Sequence, residues 1–201
     1  RKAMEEIPVI FDSLFEVRFV TTKHNEEALI LLCYKRPLTK DWLPTAEKLA
    51  EKIGGVKIIG RARNMMQITK YNNPTGSEYI KERLTVNDRT FTYYQTEGAF
   101  SQPNAIVCEK MLTWAVDQTK NSHDHDLLEL YCGGGTFTAP LSYNFNKVLA
   151  TEISKSSVQL AKRCFQENNI DNIKVLRLSS EEFTEFYCNH KEFGRLKEEK
   201  I

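Results

Sequence analysis

The sequence predicts an α/β protein in which an open, Rossmann-like parallel sheet is preceded by an α+β segment with antiparallel strands. Three observations favour this class. Strand-like and helix-like segments alternate from residue 126 onward, which is typical of βαβ units and a parallel sheet. Between residues 14 and 94, short β-favouring runs are separated by turn-like segments, with one amphipathic helix among them. A glycine-rich turn joins one of the later strands to the next helix.

The composition is that of a folded globular protein. Of 201 residues, 41% are hydrophobic and 27% are charged, which are ordinary values. A mean hydropathy of -0.47 and the lack of a long uncharged apolar run argue against a transmembrane helix. The net charge of +1 does not by itself indicate a nucleic-acid partner. Five widely spaced cysteines without a CxxC pair argue against a metal site such as zinc, and we expect reduced thiols and a cytoplasmic location.

Residues 1–98 are predicted to form the α+β segment. The continuous apolar run over 28–34 favours a buried strand, and the helical stripe over 40–53 favours an amphipathic helix. The full set is strands over 14–21 and 28–34 with a hairpin around His24 to Glu27, a helix over 40–53 ended by Gly54 and Gly55, strands over 56–59 and 65–69, and a hairpin over 79–94 turning at Asn87 and Asp88.

Residues 99–201 are predicted to form the parallel-sheet domain. The predicted elements are helices over 104–119, 137–143, 154–168 and 181–187 and strands over 126–131, 147–151 and 173–178. Trp114 in this half and Trp42 in the first lie on helical apolar stripes, so we expect both in a core.

The turn over 132–137 is the first candidate for a functional site. Gly133, Gly134 and Gly135 permit positive φ and let a ligand approach the backbone closely. The turn follows a parallel strand, and open α/β sheets bind ligands at the carboxyl ends of their strands. Glu152 ends the next strand, where a carboxylate can accept both hydroxyls of a ribose.

A glycine-rich turn followed by an acid at the end of the next strand is used to bind two classes of cofactor, dinucleotides and S-adenosylmethionine. A dinucleotide site requires G-x-G-x-x-G, and the third spaced glycine is missing here. Glu129 stands just ahead of the turn, and two acids suit a cationic cofactor with an amino group and a ribose, such as S-adenosylmethionine. A plain strand-to-helix turn with a solvated Glu152 is the structural alternative.

An ordered set of segments resembles the tRNA (uracil-5-)-methyltransferase family, whose members make 5-methyluridine in the T-loop. The resemblance covers residues 14–196. The segments that carry it are Ile59–Ala62, Tyr79–Leu84, Phe100–Asn104, Leu127–Phe137, Val148–Val158, Asn169–Asn172 and Ser180–Phe183. It implies a class I methyltransferase sheet of seven strands, and the three strands predicted here make that sheet incomplete.

The resemblance also implies a set of cofactor-binding residues. Gln102 and Tyr131 match positions that contact S-adenosylmethionine, Gly133 belongs to the same turn, and Glu152 matches the residue on the ribose. Thr136 stands where the tRNA enzymes often have asparagine, so that it keeps a hydroxyl and loses an amide.

The resemblance implies an RNA-facing role for Phe15, with burial in the core as the alternative. Lys35, Arg36, Arg61 and Arg63 are candidate phosphate contacts, with a solvated charged face as the alternative. Residues 1–98 hold 16 Lys and Arg against 13 Asp and Glu, which agrees with an RNA partner on this side.

The activity implied is methyl transfer from S-adenosylmethionine to C5 of the T-loop uridine of tRNA, through a cysteine adduct at C6. No cysteine here matches the family nucleophile, so no residue is expected to be catalytic, and Cys132 is predicted to be a buried thiol. The alternatives are a 23S rRNA uracil-5-methyltransferase and a non-catalytic RNA-binding or tRNA-folding module. We expect a monomer without metal or membrane, and tRNA as its partner.

Overall fold

The structure, a computed structural model, describes residues 7–23, 27–54 and 56–191. It divides into two compact units, and each is described by itself. The first unit extends to Lys81 and includes Gln95–Glu97, and the second comprises Glu82–Tyr94 and the residues from Gly98 onward. This division differs from the predicted split at residue 98 in one hairpin, which groups with the second unit.

The first unit is a four-stranded sheet with a helix against it. Its elements are a 3-10 helix at Pro8–Phe11, β1 Leu14–Thr21, β2 Ala28–Tyr34, α1 Trp42–Ile53, β3 Lys57–Ala62 and β4 Met65–Ile68. The strand order is β1-β2-β3-β4, with antiparallel pairing of β1 with β2 and of β3 with β4. The pairing of β2 with β3 is parallel, which corrects the expectation of a purely antiparallel segment. The reason is that α1 forms a crossover, so that β3 runs in the same direction as β2.

The connection predicted around His24 to Glu27 lies outside the described residues except for Glu27. On either side of it, the Thr22 amide donates to the Glu27 carbonyl at 3.2 Å. The pairing of β1 with β2 is therefore confirmed without a description of the turn itself.

Trp42 organises the core of the first unit. It is 2% exposed, as predicted, and a Cβ at Gly60 would lie only 2.3 Å from its indole ring. The Trp42 indole N–H donates to the Tyr34 hydroxyl at 2.8 Å, and that hydroxyl donates to the Ile10 carbonyl at 3.0 Å. The buried polar atoms of both aromatic residues are thus satisfied, and β3 is held closely against α1.

The second unit contains a hairpin and a three-stranded parallel sheet with helices. Its elements are most of β5 Ile80–Val86 and of β6 Arg89–Gln95, followed by α2 Ala105–Gln118, β7 Leu127–Glu129, α3 Thr138–Leu141, a 3-10 helix at Ser142–Asn144, β8 Val148–Thr151, α4 Lys155–Glu167, β9 Ile173–Leu176 and α5 Ser180–Asn189. The strand order is β7-β8-β9 with parallel pairing throughout. The predicted βαβ alternation is confirmed.

The hairpin of β5 and β6 packs with the second unit through α4. Asn168, which follows α4, accepts from the Thr92 amide at 2.9 Å and donates to the Thr92 carbonyl at 2.8 Å. Apolar residues of the hairpin share a buried cluster with Phe165. Asn87 and Asp88 have φ values of 46° and 63°, which confirms the predicted turn.

One core prediction is wrong. Trp114 is 66% exposed, whereas Cys108 and Leu112 of the same helix are buried. At 100° per residue, Trp114 lies on the opposite side of α2 from those two residues. Within the described ranges, no helix is long and apolar enough to cross a membrane, and no group of His, Cys, Asp or Glu side chains could hold a metal ion.

Candidate functional site

The candidate site lies where the three parallel strands end. β7, β8 and β9 are neighbours in that order, so the residues that follow them share one edge of the sheet. The glycine turn follows β7, Glu152 follows β8, and Ser180 opens the helix after β9. This edge brings together segments that are far apart in the sequence.

The three glycines of the turn are there for different reasons. Gly133 has φ of 56° and open space where a Cβ would lie, so its backbone is accessible to a ligand. Gly135 has φ of 82°, and a Cβ would lie 2.7 Å from the Phe165 ring. A Cβ at Gly134 would make only an ordinary contact at 3.8 Å. The turn therefore needs two of its glycines and could accommodate a side chain at the third.

Glu152 is held against the turn by backbone amides. Its Oε2 accepts from the Gly133 N–H at 3.1 Å, and its Oε1 accepts from the Ser154 N–H at 2.7 Å. Ser154 caps α4 by accepting from the Ser157 N–H at 3.3 Å. A carboxylate oxygen has more than one acceptor position, so Glu152 can accept further hydrogen bonds while its orientation stays fixed.

Glu129 carries an unsatisfied buried oxygen. Its Oε2 and the Thr138 hydroxyl are both buried, and neither has a hydrogen-bond partner among the described residues. Burial raises the pKa of the Glu129 carboxyl, and the nearby Thr138 hydroxyl opposes part of that rise. A cationic amino group would satisfy this oxygen and favour the charged carboxylate. No pattern in the sequence marks Thr138.

Tyr131 is 68% exposed and has φ of 60°, which is rare for a residue other than glycine. Its hydroxyl makes a hydrogen bond with the Ser180 hydroxyl. Ser180 is fixed by a capping box, in which Ser179 and Glu182 exchange hydrogen bonds with each other's backbone amides. Because β8 lies between β7 and β9, this contact links the strands on either side of Glu152. The sequence named Ser180 only within the segment Ser180–Phe183 that resembles the family and gave it no role at the site, although the Ser-x-x-Glu pattern of Ser179 and Glu182 marks the helix start beside it.

The remaining predicted cofactor residues are less closely connected. Thr136 is half-buried, and its carbonyl accepts from the Tyr93 hydroxyl at 3.1 Å. Gln102 is half-buried in the stretch ahead of α2, and no hydrogen bond joins it to the turn within the described part of the chain. The structure thus assembles Gly133 and Glu152 directly, while the role of Gln102 stays a prediction.

The predicted RNA-facing residues belong to the first unit. Phe15 lies at an irregularity in the pairing of β1 with β2 and is 56% exposed, so the buried alternative does not apply. Lys35, Arg36 and Arg63 are exposed, and Arg61 is partly exposed. All four cationic side chains are therefore accessible to a phosphate.

The cysteines do not form a nucleophilic centre. All five are free. Burial raises the pKa of Cys132 and of Cys164 to about 12, and it also raises the pKa of Cys33 and Cys108. Because the thiolate is the nucleophile, these four groups are poorly suited to attack a base. The prediction that Cys132 is a buried thiol is confirmed.

Comparison with known sequences identifies a protein family that matches nearly the whole chain. The profile of the family described as tRNA (Uracil-5-)-methyltransferase matches residues 2–201. The chain belongs to this family. Among the similar curated proteins is a tRNA/tmRNA (uracil-C(5))-methyltransferase of Acinetobacter baylyi, 47% identical, with a match covering 100% of this chain and 54% of the relative. The enzyme of the same name from Azotobacter vinelandii is 46% identical over 97% of this chain and 52% of its own length. The chain spans about half the length of these relatives.

Comparison with solved structures agrees on the fold of this tRNA (uracil-5-)-methyltransferase family member. A tRNA (uracil-54, C5)-methyltransferase of Pyrococcus abyssi, solved with S-adenosyl-L-homocysteine, matches with a TM-score of 0.58 and 18% identity. The match covers 80% of this chain and 38% of that one. The expectation of a Rossmann-like class I methyltransferase sheet is therefore confirmed.

Proposed function

We propose that this chain is part of an enzyme that transfers a methyl group from S-adenosylmethionine to C5 of the T-loop uridine of tRNA. The observation that carries the proposal is the Glu152 carboxylate, held at a glycine turn at the carboxyl end of a parallel sheet. Family membership and the names of the relatives support the same activity. A monomeric, cytoplasmic protein is part of this proposal.

The described residues fit the cofactor. Gly133 leaves the backbone open, Glu152 has acceptor positions for ribose hydroxyls, and the unsatisfied oxygen of Glu129 suits the amino group. When bound, S-adenosylmethionine supplies an electrophilic methyl group on a sulfonium centre. The residues proposed to hold it are Gln102, Tyr131, Gly133, Thr136 and Glu152.

The RNA chemistry in this proposal needs a thiolate that adds to C6 of uracil and makes C5 nucleophilic. The buried cysteines with raised pKa values do not suit that step, so we assign no catalytic residue in residues 1–201. The first unit contributes to RNA binding, with Phe15 stacking on a base.

The test uses the full-length protein with S-adenosylmethionine carrying an isotopically labelled methyl group. We expect labelled 5-methyluridine, detected by mass spectrometry, at a single uridine of an unmodified T-loop stem-loop. Residues 1–201 alone should give no turnover. Labelling of a 23S rRNA fragment in place of the tRNA stem-loop would favour the rRNA enzyme, and RNA binding without any labelling would favour a non-catalytic module.

A second measurement tests the cysteine adduct. The same stem-loop with 5-fluorouridine at the target position cannot lose its C5 substituent as a proton. We therefore expect a stable covalent complex with the full-length protein, visible as a shifted band under denaturing conditions. Methyl transfer without any trapped complex would contradict the adduct while leaving the methyltransferase assignment in place.

A further inference from the structure

The carboxylate of Glu97 bridges two arginines on one face of the first sheet. Its Oε2 accepts from Arg61 Nη1 at 2.6 Å, and its Oε1 accepts from Arg18 Nη1. The Glu97 side chain is only 8% exposed, whereas those of Arg18 and Arg61 are 49% and 41% exposed. The anion is therefore buried beneath two guanidinium groups that reach solvent.

The strand register explains this placement. Cys33 in β2 lies opposite Glu16 in β1 and Arg61 in β3, so these three side chains share a face. The preceding residue, Gly60, faces the other side, where it is packed closely against Trp42. Arg61 is consequently fixed from both faces, by the packing of its neighbour on one and by Glu97 on the other.

The two arginines differ in the donors that they leave free. Arg18 donates from Nε and Nη2 to Glu16, at 2.7 and 3.0 Å, in addition to its bond with Glu97. Arg61 is bonded through Nη1 only, as far as the described residues show. A guanidinium has five N–H donors in a planar fork. Arg61 thus has its orientation fixed at one nitrogen while Nε and Nη2 are available for a ligand.

We propose that Arg61 binds a phosphodiester group of the RNA backbone and that Glu97 is the residue that positions it. The inference rests on the proposed function, in which this unit binds RNA. Arginine matches the geometry of a phosphate through two parallel hydrogen bonds, and a side chain already held in place loses less conformational entropy on binding. Met66, which pairs with Arg61 in β4, is 48% exposed, so the face beside the guanidinium is open.

The proposal predicts that Glu97→Gln weakens RNA binding, whereas the change in net charge alone predicts that it strengthens RNA binding. Glu97→Gln removes a negative charge, which on electrostatic grounds alone should strengthen RNA binding. If Glu97 positions Arg61, the same change should weaken binding of a T-loop stem-loop by about fivefold, because the orienting charge-assisted bond is lost. The slope of log Kd against log salt should fall by roughly 0.7, as expected for one lost phosphate contact on unpaired RNA.

Further variants of the full-length protein separate positioning from general damage. Arg61→Ala should produce the same change in slope, and adding Glu97→Gln to it should produce no further loss. Arg61→Lys keeps the charge without the fork and should give a smaller loss. The matched control is Glu27→Gln, which makes the same charge change by breaking the 2.9 Å ion pair with Lys57 on the same sheet and should leave RNA binding as tight or slightly tighter.

Failure of this inference is distinguishable from failure of the proposed function. If the unmodified protein binds the stem-loop but Glu97→Gln binds as tightly or more tightly, the positioning role is wrong and RNA binding stands. If the unmodified protein does not bind the stem-loop, the proposed function fails first. Should circular dichroism show that Glu97→Gln does not fold, Arg61→Lys decides, because an unchanged affinity and slope would overturn the role of Arg61.

Discussion

Two glycines covered by aromatic rings show how differently the two units are built. A Cβ at Gly135 in the glycine turn would lie 2.7 Å from the Phe165 ring, and a Cβ at Gly60 in the first sheet would lie 2.3 Å from Trp42. Gly135 also has φ of 82°, whereas Gly60 lies within strand β3. The turn therefore needs glycine for its backbone and its packing, and the sheet needs it for packing alone.

The two regions also carry opposite charges toward their proposed ligands. At the turn, Glu129 and Glu152 supply carboxylates that suit the cationic cofactor proposed above. On the first sheet, Glu97 is covered and Arg61 reaches solvent, so that the accessible charge suits an anionic RNA. The small net charge of the whole chain conceals both of these local arrangements.

The largest expected effect tests the role of Gly135. Gly135→Ala should lower the free energy of unfolding by about 2–4 kcal/mol, from the left-handed backbone and the overlap with Phe165. Gly60→Ala should lower it by about 1–3 kcal/mol from overlap alone. Gly134→Ala, the matched control, should change it by less than about 1 kcal/mol. Urea unfolding followed by circular dichroism measures all three, and equal losses at Gly134 and Gly135 would contradict this account of the turn.

The same contrast explains what could be predicted from the sequence. The turn at Gly133–Gly135 and its partner Glu152 follow from local pattern, because a strand, a turn and a helix are consecutive in the chain. The hydrogen bond between Arg61 and Glu97 could not be predicted, because it depends on how distant segments pack. The exposure of Trp114 was mispredicted for a related reason: an apolar stripe does not reveal which side of a helix finds a partner.

The next effect concerns the cofactor region only. Glu152→Ala in the full-length protein should weaken S-adenosylmethionine binding by at least about tenfold, since a hydrogen bond to a charged partner contributes roughly 1.5–3 kcal/mol. Isothermal calorimetry measures this change, and affinity for the stem-loop should stay the same. Asp171→Ala is the control, because that exposed acid precedes β9 and lies away from the carboxyl edge. An unchanged cofactor affinity in Glu152→Ala would contradict the assignment of Glu152 to cofactor binding.

The corresponding test on the first sheet uses Phe15. Phe15→Ala should weaken stem-loop binding by about fivefold, near the lower end of what base stacking contributes, and leave cofactor affinity unchanged. Lys35→Ala and Arg36→Ala should instead lower the salt dependence of binding. Phe19 is the matched control, since it lies in the same strand and is 67% exposed but does not match the family position. If Phe19→Ala were the more damaging change, Phe15 would not be the stacking residue.

The smallest effect concerns Glu129 and depends on pH. Burial raises the pKa of this carboxyl above its ordinary value of 4.5. The folded protein therefore binds this proton more tightly than the unfolded chain does. Protonated Glu129 contributes fully to the free energy of unfolding at pH values below the pKa of the unfolded chain. That contribution is lost as the pH rises through the raised pKa of the folded protein. Without cofactor, Glu129→Gln should be slightly more stable than the unmodified protein at pH 7, with this advantage absent near pH 4.

The same variant should bind S-adenosylmethionine more weakly, because the carboxylate that suits the amino group is gone. Urea unfolding at several pH values, paired with calorimetry at pH 7, measures both effects. A stability difference independent of pH would show that Glu129 does not titrate as a buried acid, and unchanged cofactor affinity would separate it from the site.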